Sequence, residues 1–256
     1  MQRPPTPVER FLAEALGTFL LVFVGCGTVA LVNMQHASGR PFTLGDFLLF
    51  SLAFGFVLFI VVLIVGRVSG AHVNPAVTLA LWANGRLDPA DVASYLGGQI
   101  VGALAGAAAI LIVYGKNAST LGHLGAPSLA SGTSLVQGLA IEALGAFILM
   151  LAIMATAVDG RAPAGWAGLA IGMALAVVNM FMGAATGASV NPARALGPDV
   201  INFFYKVSTD VGQYVAVYLI GPIIGAIAAA FLYAYITHLP RPTASRTARP
   251  AARRGA

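Results

Sequence analysis

The chain has 256 residues, 58% of them hydrophobic and only 9% charged, with a formal net charge of +5 and a mean hydropathy of +0.85. A soluble domain is typically about 25% charged, so this composition excludes a water-solvated globule and leaves lipid as the solvent. One cysteine excludes an intrachain disulfide.

A short segment over 1–8 precedes the first of six apolar stretches, near 11–33, 44–66, 92–114, 134–158, 165–183 and 212–236. Each matches the roughly 20 residues of helix that a bilayer crossing needs. The first stretch carries Glu14 and Cys26. Cys26 reads as a small buried hydrophobe, with no metal or other cofactor implied. Phe23-Val24-Gly25-Cys26 faintly resembles a lipoprotein cleavage box, but cleavage there would remove Glu14, and the first span is expected to stay. The second stretch leads into Gly70-Ala71-His72-Val73-Asn74-Pro75-Ala76. A short apolar piece over 75–83 follows, too brief to span. Gly98, Gly102 and Gly106 in the third stretch are spaced for close helix packing in lipid. The segment 115–133 then connects to a second set of spans.

That second set repeats the first. Glu14-Ala15-Leu16-Gly17 recurs as Glu142-Ala143-Leu144-Gly145, and Leu52-Ala53-Phe54-Gly55 as Leu169-Ala170-Ile171-Gly172. Gly70-Ala71 with Val73-Asn74-Pro75-Ala76 recurs as Gly187-Ala188 with Val190-Asn191-Pro192-Ala193. Tyr95-Leu96 with Gly98 and Gly102 recurs as Tyr218-Leu219 with Gly221 and Gly225. The units are 9–114 and 134–236, each reading span, span, short piece, span; the second short piece is expected near 192–197. Three spans per unit is odd, so the copies enter the membrane inverted, and such repeats place a site near the bilayer midplane. The fold class expected is all-α, with six transmembrane helices and two re-entrant half-helices. The tail over 237–256, rich in Pro, Ala, Thr and Arg, is expected to be disordered.

Charge placement sets the orientation. With both termini cytoplasmic, the inner side holds Arg3, Arg10, Arg67, Arg86, Arg161, Arg241, Arg246, Arg249, Arg253 and Arg254. The outer side holds Arg40, Lys116, Arg194 and Lys206. Ten against four fits the positive-inside rule, so the basic balance reports topology and gives no reason to expect nucleic acid. Without targeting signals, a bacterial inner membrane is the expected host, with 115–133 outside.

Asn is a preferred N-cap and Pro a preferred first helical residue. Each Asn-Pro therefore starts a helix, with unpaired N–H groups and partial positive charge. Backbone of this kind is tolerated at membrane depth only when buried in protein or lining water. Two such starts facing each other would offer the amide groups of Asn74 and Asn191 to an acceptor oxygen and oppose a cation. Arg194 follows in the first helical turn, where the dipole disfavours it, whereas the first repeat has Val77. A rule broken in one copy only, by an ionisable group at membrane depth, marks a functional residue. Glu14 and Glu142 either brace the irregular backbone before the half-helices or couple protons. His72 either lines the inner pore mouth or satisfies loop backbone.

The recurrence of Asn74-Pro75-Ala76 as Asn191-Pro192-Ala193 after matched Gly-Ala-x-Val, with both repeat glutamates, resembles the aquaporin or major intrinsic protein family from about residue 9 to 236. The resemblance implies a homotetramer with one pore per subunit, passing water or small neutral solutes passively and excluding ions and protons. It implies bracing for Glu14 and Glu142, the inner mouth for His72, and an outer filter of Phe54, Asn179, Ala188 and Arg194. Water-selective members usually carry His where this chain has Asn179, and Ala188 is small, so a wider filter is expected. Glycerol facilitators usually carry Asp after the filter arginine, where this chain has Ala195. The mixture resembles the plant nodulin-like branch. Water is the first reading, with glycerol, urea or ammonia facilitation as the alternative. A proton-coupled transporter is a rival from another class. Scattered histidines and the lack of catalytic spacing do not read as an enzyme.

Overall fold

A computed structural model describes residues 3–207 and 210–240, and among them the regular structure is helical. Six helices are long and apolar enough to cross a bilayer: α1 (Pro7–Ala37), α2 (Leu44–Ser69), α4 (Pro89–Tyr114), α5 (Leu135–Val158), α6 (Ala167–Thr186) and α8 (Val211–Ile236). Two shorter ones follow the Asn-Pro pairs, α3 (Pro75–Ala83) and α7 (Pro192–Phe204).

Local chemistry sets the ends. Thr6 with Glu9, Thr43 with Asp46, and Ser134 with Gln137 close capping boxes at the starts of α1, α2 and α5. Asp88 caps α4, accepting from the N–H of Ala90. α2 and α6 both end on a left-handed glycine, Gly70 at φ 86° and Gly187 at φ 76°. These matched glycines turn the chain sharply into each half-helix.

Packing follows the repeat. α1 lies on α4, and α5 on α8, as equivalent pairs, while α2 lies on its own counterpart α6. At that last crossing Gly55 meets Gly172: a Cβ on Gly55 would sit 2.7 Å from the Gly172 carbonyl oxygen. Gly102 and Gly225 are likewise pressed against the backbone of Ala15 and Ala143. Without a hydrophobic effect between helices in lipid, such close backbone approach supplies the association energy. Each half-helix docks against the last span of the other repeat, α3 on α8 and α7 on α4. The two units are therefore interlocked rather than side by side.

Two features differ from the sequence reading, the end of the second half-helix and the start of the tail, and the packing of the central connection adds a third that the sequence left open. The second half-helix does not stop at 197 but continues through Pro198 to Phe204. Proline lacks the N–H that would bond to the carbonyl of Arg194, and the thiol of Cys26 approaches that carbonyl instead, Sγ to O 4.0 Å. The connection over 115–133 is folded into the molecule: Leu124 is fully buried, and Gly125 lies against the backbone of Cys26. Asn202 Nδ2 donates to the carbonyl of His123 at 2.7 Å, and the N–H of Ala130 donates to that of Ala185 at 2.9 Å. The start of the tail expected to be disordered is also held, because Arg161 Nη2 donates to the Thr237 carbonyl at 3.3 Å and Arg86 Nη2 to that of Pro240 at 3.1 Å. Residues 241–256, including the remaining tail arginines, lie outside the described residues.

Asp159, just past the end of α5, sits between Arg161 and Tyr233, with its Oδ2 2.6 Å from Arg161 Nη2 and 2.9 Å from the Tyr233 hydroxyl. The guanidinium and the hydrogen bonds hold its carboxyl well below the usual range. It joins the 159–161 turn to the end of α8.

Candidate functional site

The approach to α3 has an unusual backbone. Gly70, Ala71 and Val73 all have positive φ, as do Gly187, Ala188 and Val190 before α7. For Ala and Val this region costs roughly 1–3 kcal/mol each and persists only when the surroundings enforce it. The enforcing group is a buried carboxylate. Glu14 Oε1 accepts from Ser69 Oγ at 2.6 Å and the His72 N–H at 2.9 Å, while Oε2 accepts from the Val73 N–H at 2.6 Å and Gln99 Nε2 at 2.7 Å. In the second unit Glu142 accepts from Thr186 Oγ1 at 2.7 Å, the Ser189 N–H at 2.8 Å and the Val190 N–H at 2.6 Å. Tyr95 and Tyr218 donate to the carbonyls of Ser69 and Thr186 at 2.6 and 2.9 Å. With the N–H groups of 72, 73, 189 and 190 turned to the carboxylates, the carbonyl side of each segment is left for other partners.

Two of those carbonyls join the half-helices. Asn74 Nδ2 donates to the carbonyl of Val190, and Asn191 Nδ2 to that of Val73, both at 2.8 Å. Each Asn Oδ1 caps its own helix, accepting from Ala76 N–H at 2.9 Å and from Ala193 N–H at 3.0 Å. The sequence reading left both hydrogens of each amide free. One of each pair is spent on this exchange, so one N–H per asparagine remains. Pro75, Ala76, Pro192 and Ala193 are buried at the junction.

A cavity of about 360 Å³ runs past this junction. Its wall includes His72, Asn74 and Asn191, and also Phe54, Asn179, Ala188 and Arg194. His72 Nδ1 lies 3.2 Å from Thr78 Oγ1, with its ring 4.6 Å from that of Tyr95. Arg194 is only 3% exposed, has no carboxylate partner among the described residues, and sets its guanidinium carbon 4.9 Å from the centre of the Phe54 ring. Its Nη1 is buried without a hydrogen-bond partner in the protein. Asn179 Nδ2 is committed to the carbonyl of Leu175 at 3.0 Å. A second cavity of about 220 Å³ shares Asn179 and Arg194 with the first and opens past Asn33, Phe42, Phe47 and Phe50. Those two side chains thus stand where the two cavities meet.

Residues absent from the sequence reading also line this path. Phe42, Phe47 and Phe50 form an aromatic wall with ring centres 5.0 and 5.2 Å apart. Ala126, Pro127 and Ser128 of the central connection face the same cavity. They lie outside the repeat, so internal symmetry gave no signal for them. The Phe42–Phe47–Phe50 spacing reads as ordinary packing in a span.

A family model described as "Major intrinsic protein" matches residues 2–233. The chain is 42% identical over 243 residues to "Probable aquaporin AqpM" of Archaeoglobus fulgidus, covering 90% of this chain and 98% of that one. It is 36% identical over 227 residues to "Glycerol uptake facilitator protein-like 6" of Lactiplantibacillus plantarum, covering 88% and 96%. Among solved structures, the aquaglyceroporin of Plasmodium falciparum superposes with a TM-score of 0.80 at 26% identity, covering 91% of this chain and 97% of that one.

Proposed function

The chain belongs to the major intrinsic protein family, and on that premise we propose how its residues carry the passive flow of water and small uncharged solutes across a membrane. The observation that carries the proposal is the exchange between Asn74 and Asn191 at the wall of the long cavity. It holds two helix N-termini face to face, each with one amide N–H unspent. A permeating water accepts from both, which points its own hydrogens away from the junction and interrupts a proton wire. A cation meets two positive dipole ends and the buried Arg194 charge. It also pays a desolvation cost of roughly several kcal/mol in a pore too narrow for its hydration shell.

Phe54, Asn179, Ala188 and Arg194 form the outer filter in this reading, with Glu14 and Glu142 bracing the two loops and His72 at the inner mouth. The side-chain oxygen of Asn179, the small Ala188 and the donors of Arg194 share the wall of one cavity, a set suited to hydroxyl- or amide-bearing solutes as well as water. That is the observation favouring the facilitator reading. The similarity to a glycerol uptake facilitator supports it too. We also propose a homotetramer with one pore per subunit, in a bacterial inner membrane with both termini cytoplasmic.

The test is stopped-flow light scattering on proteoliposomes, first with an impermeant osmolyte and then with glycerol or urea. Fast shrinkage followed by re-swelling in glycerol or urea is expected. Shrinkage without re-swelling would reject the wide filter. Flux that saturates with solute, or needs a pH gradient, would instead support a proton-coupled transporter.

A further inference from the structure

Residues Val22–Cys26 of α1 form a π turn, a local widening that recurs at functional sites. It sets Gly25 directly against Phe54. A Cβ on Gly25 would lie 2.7 Å from Phe54 Cζ and closer still to Cε1 and Cδ1. Gly55, Gly102 and Gly225 have backbone as their nearest contact, whereas the three nearest atoms to Gly25 all belong to this one ring. The ring also carries the Arg194 guanidinium at 4.9 Å and lines the long cavity. Phe54 is therefore held between the bare backbone of α1 and the pore. The cavity that the ring lines is an open space into which it can yield.

The next residue of the same turn touches the other filter partner. Cys26 Sγ reaches the Arg194 carbonyl, the one left without a helical donor by Pro198. The second repeat supplies a comparison. Aligning Glu14 with Glu142 and Gly55 with Gly172 matches Gly25 to Ile153 and Phe54 to Ile171. Both isoleucines line the same cavity. Two medium side chains in one repeat thus correspond to a large ring and no side chain in the other. A glycine required merely for packing α1 against α2 would be expected in both.

We infer that Gly25 is a positioning residue for selectivity: by recessing the Phe54 ring into the π turn, it sets the bore beside Arg194. The inference rests on the reading of Phe54 and Arg194 as the filter. Substituting Gly25→Ala drives the ring toward Arg194 and narrows the passage, and trimming the ring with Phe54→Leu relieves it.

The experiment compares wild type, G25A, F54L and G25A/F54L, each full chain in proteoliposomes, with permeability measured per assembled channel. G25A is expected to lower glycerol permeability about tenfold, the discrimination that one extra carbon exerts in a tight site, with a smaller fall for water. G25A/F54L is expected to return both to the values of F54L alone. Wild-type permeabilities in G25A, or a double variant as slow as G25A, would overturn the inference. If G25A does not assemble, the double variant decides. Assembly with F54L-like flux supports the clash with the ring, while failure to assemble means the glycine serves the helix and overturns it. Water flux alone reads this outcome, so a wild type closed to glycerol would correct the solute range and leave this test standing.

Discussion

In the proposed filter, Asn179 is the side chain that would bear most on what passes. Its Nδ2 is tied to the Leu175 carbonyl one turn back, so the group left for a solute is the side-chain carbonyl oxygen, an acceptor in the same cavity wall as the donors of Arg194. A hydroxyl, which both donates and accepts, satisfies both sides at once. A histidine at this position is larger and fills the space beside Ala188. Asn179→His is therefore expected to cut glycerol or urea permeability by about tenfold, on the scale of small steric differences in tight sites, while water flow persists. Equal permeability ratios in the variant and wild type would remove Asn179 from the filter. Sequence alone singled out Arg194 through a broken helix-dipole rule. Asn179 has no such local anomaly, since an asparagine in a span is as readily a buried packing residue. Only its convergence with Arg194 at the meeting of the two cavities marks it in the structure.

The two loop-and-half-helix elements stand or fall with their carboxylates. Glu14 gathers four donors and Glu142 three, several of them backbone N–H groups of residues held at or next to positive φ. Removing the acceptor leaves these groups buried and unpaired at about 1–3 kcal/mol each, a total comparable with the whole stability of an ordinary domain. Glu14→Ala and Glu142→Ala are each expected to lose assembled protein, with a lowered melting temperature in detergent and little water flow. Gln keeps one acceptor oxygen but turns an N–H₂ toward donors, so Glu→Gln should fall between. Alanine variants that melt with wild type and conduct normally would show that the loops hold their shape unaided. A variant that melts with wild type but loses a pH-driven flux would revive proton coupling. These elements were the most legible part of the chain, because Asn-Pro announces a helix start and the repetition ties each start to a distant glutamate. The length of α7 was not legible. Pro198 reads as a stop, and its freed carbonyl finds Cys26 on a helix far away in sequence. The burial of the central connection was hidden for a similar reason, since polar, glycine-containing stretches look alike whether they lie on a surface or fold back onto one.

At the scale of the molecule, the repeat arithmetic predicted inversion, and the packing expresses it as an exchange: each half-helix sits on the last span of the other unit. A consequence concerns the assembly. The proposal of one pore per subunit assigns the whole path past His72, Asn74, Asn191 and Arg194 to a single chain. In the proposed tetramer, neighbours would then supply lipid-like packing rather than pore wall. Mixed assemblies of wild type with a blocked subunit test this. Asn179→Trp places a bulky ring where the two cavities meet and is expected to stop flow through its own subunit. Co-assembled with wild type at graded ratios, and quantified by separate affinity tags, it should give water permeability proportional to the wild-type fraction. Subunits that conduct only in concert would behave otherwise, since one blocked subunit would silence the whole. Permeability would then fall roughly as the fourth power of the wild-type fraction, reaching about one-sixteenth at equal mixing in a closed four-fold ring. At that ratio one-half and one-sixteenth are separable in a single stopped-flow trace, and the steeper curve would overturn independent conduction by each subunit.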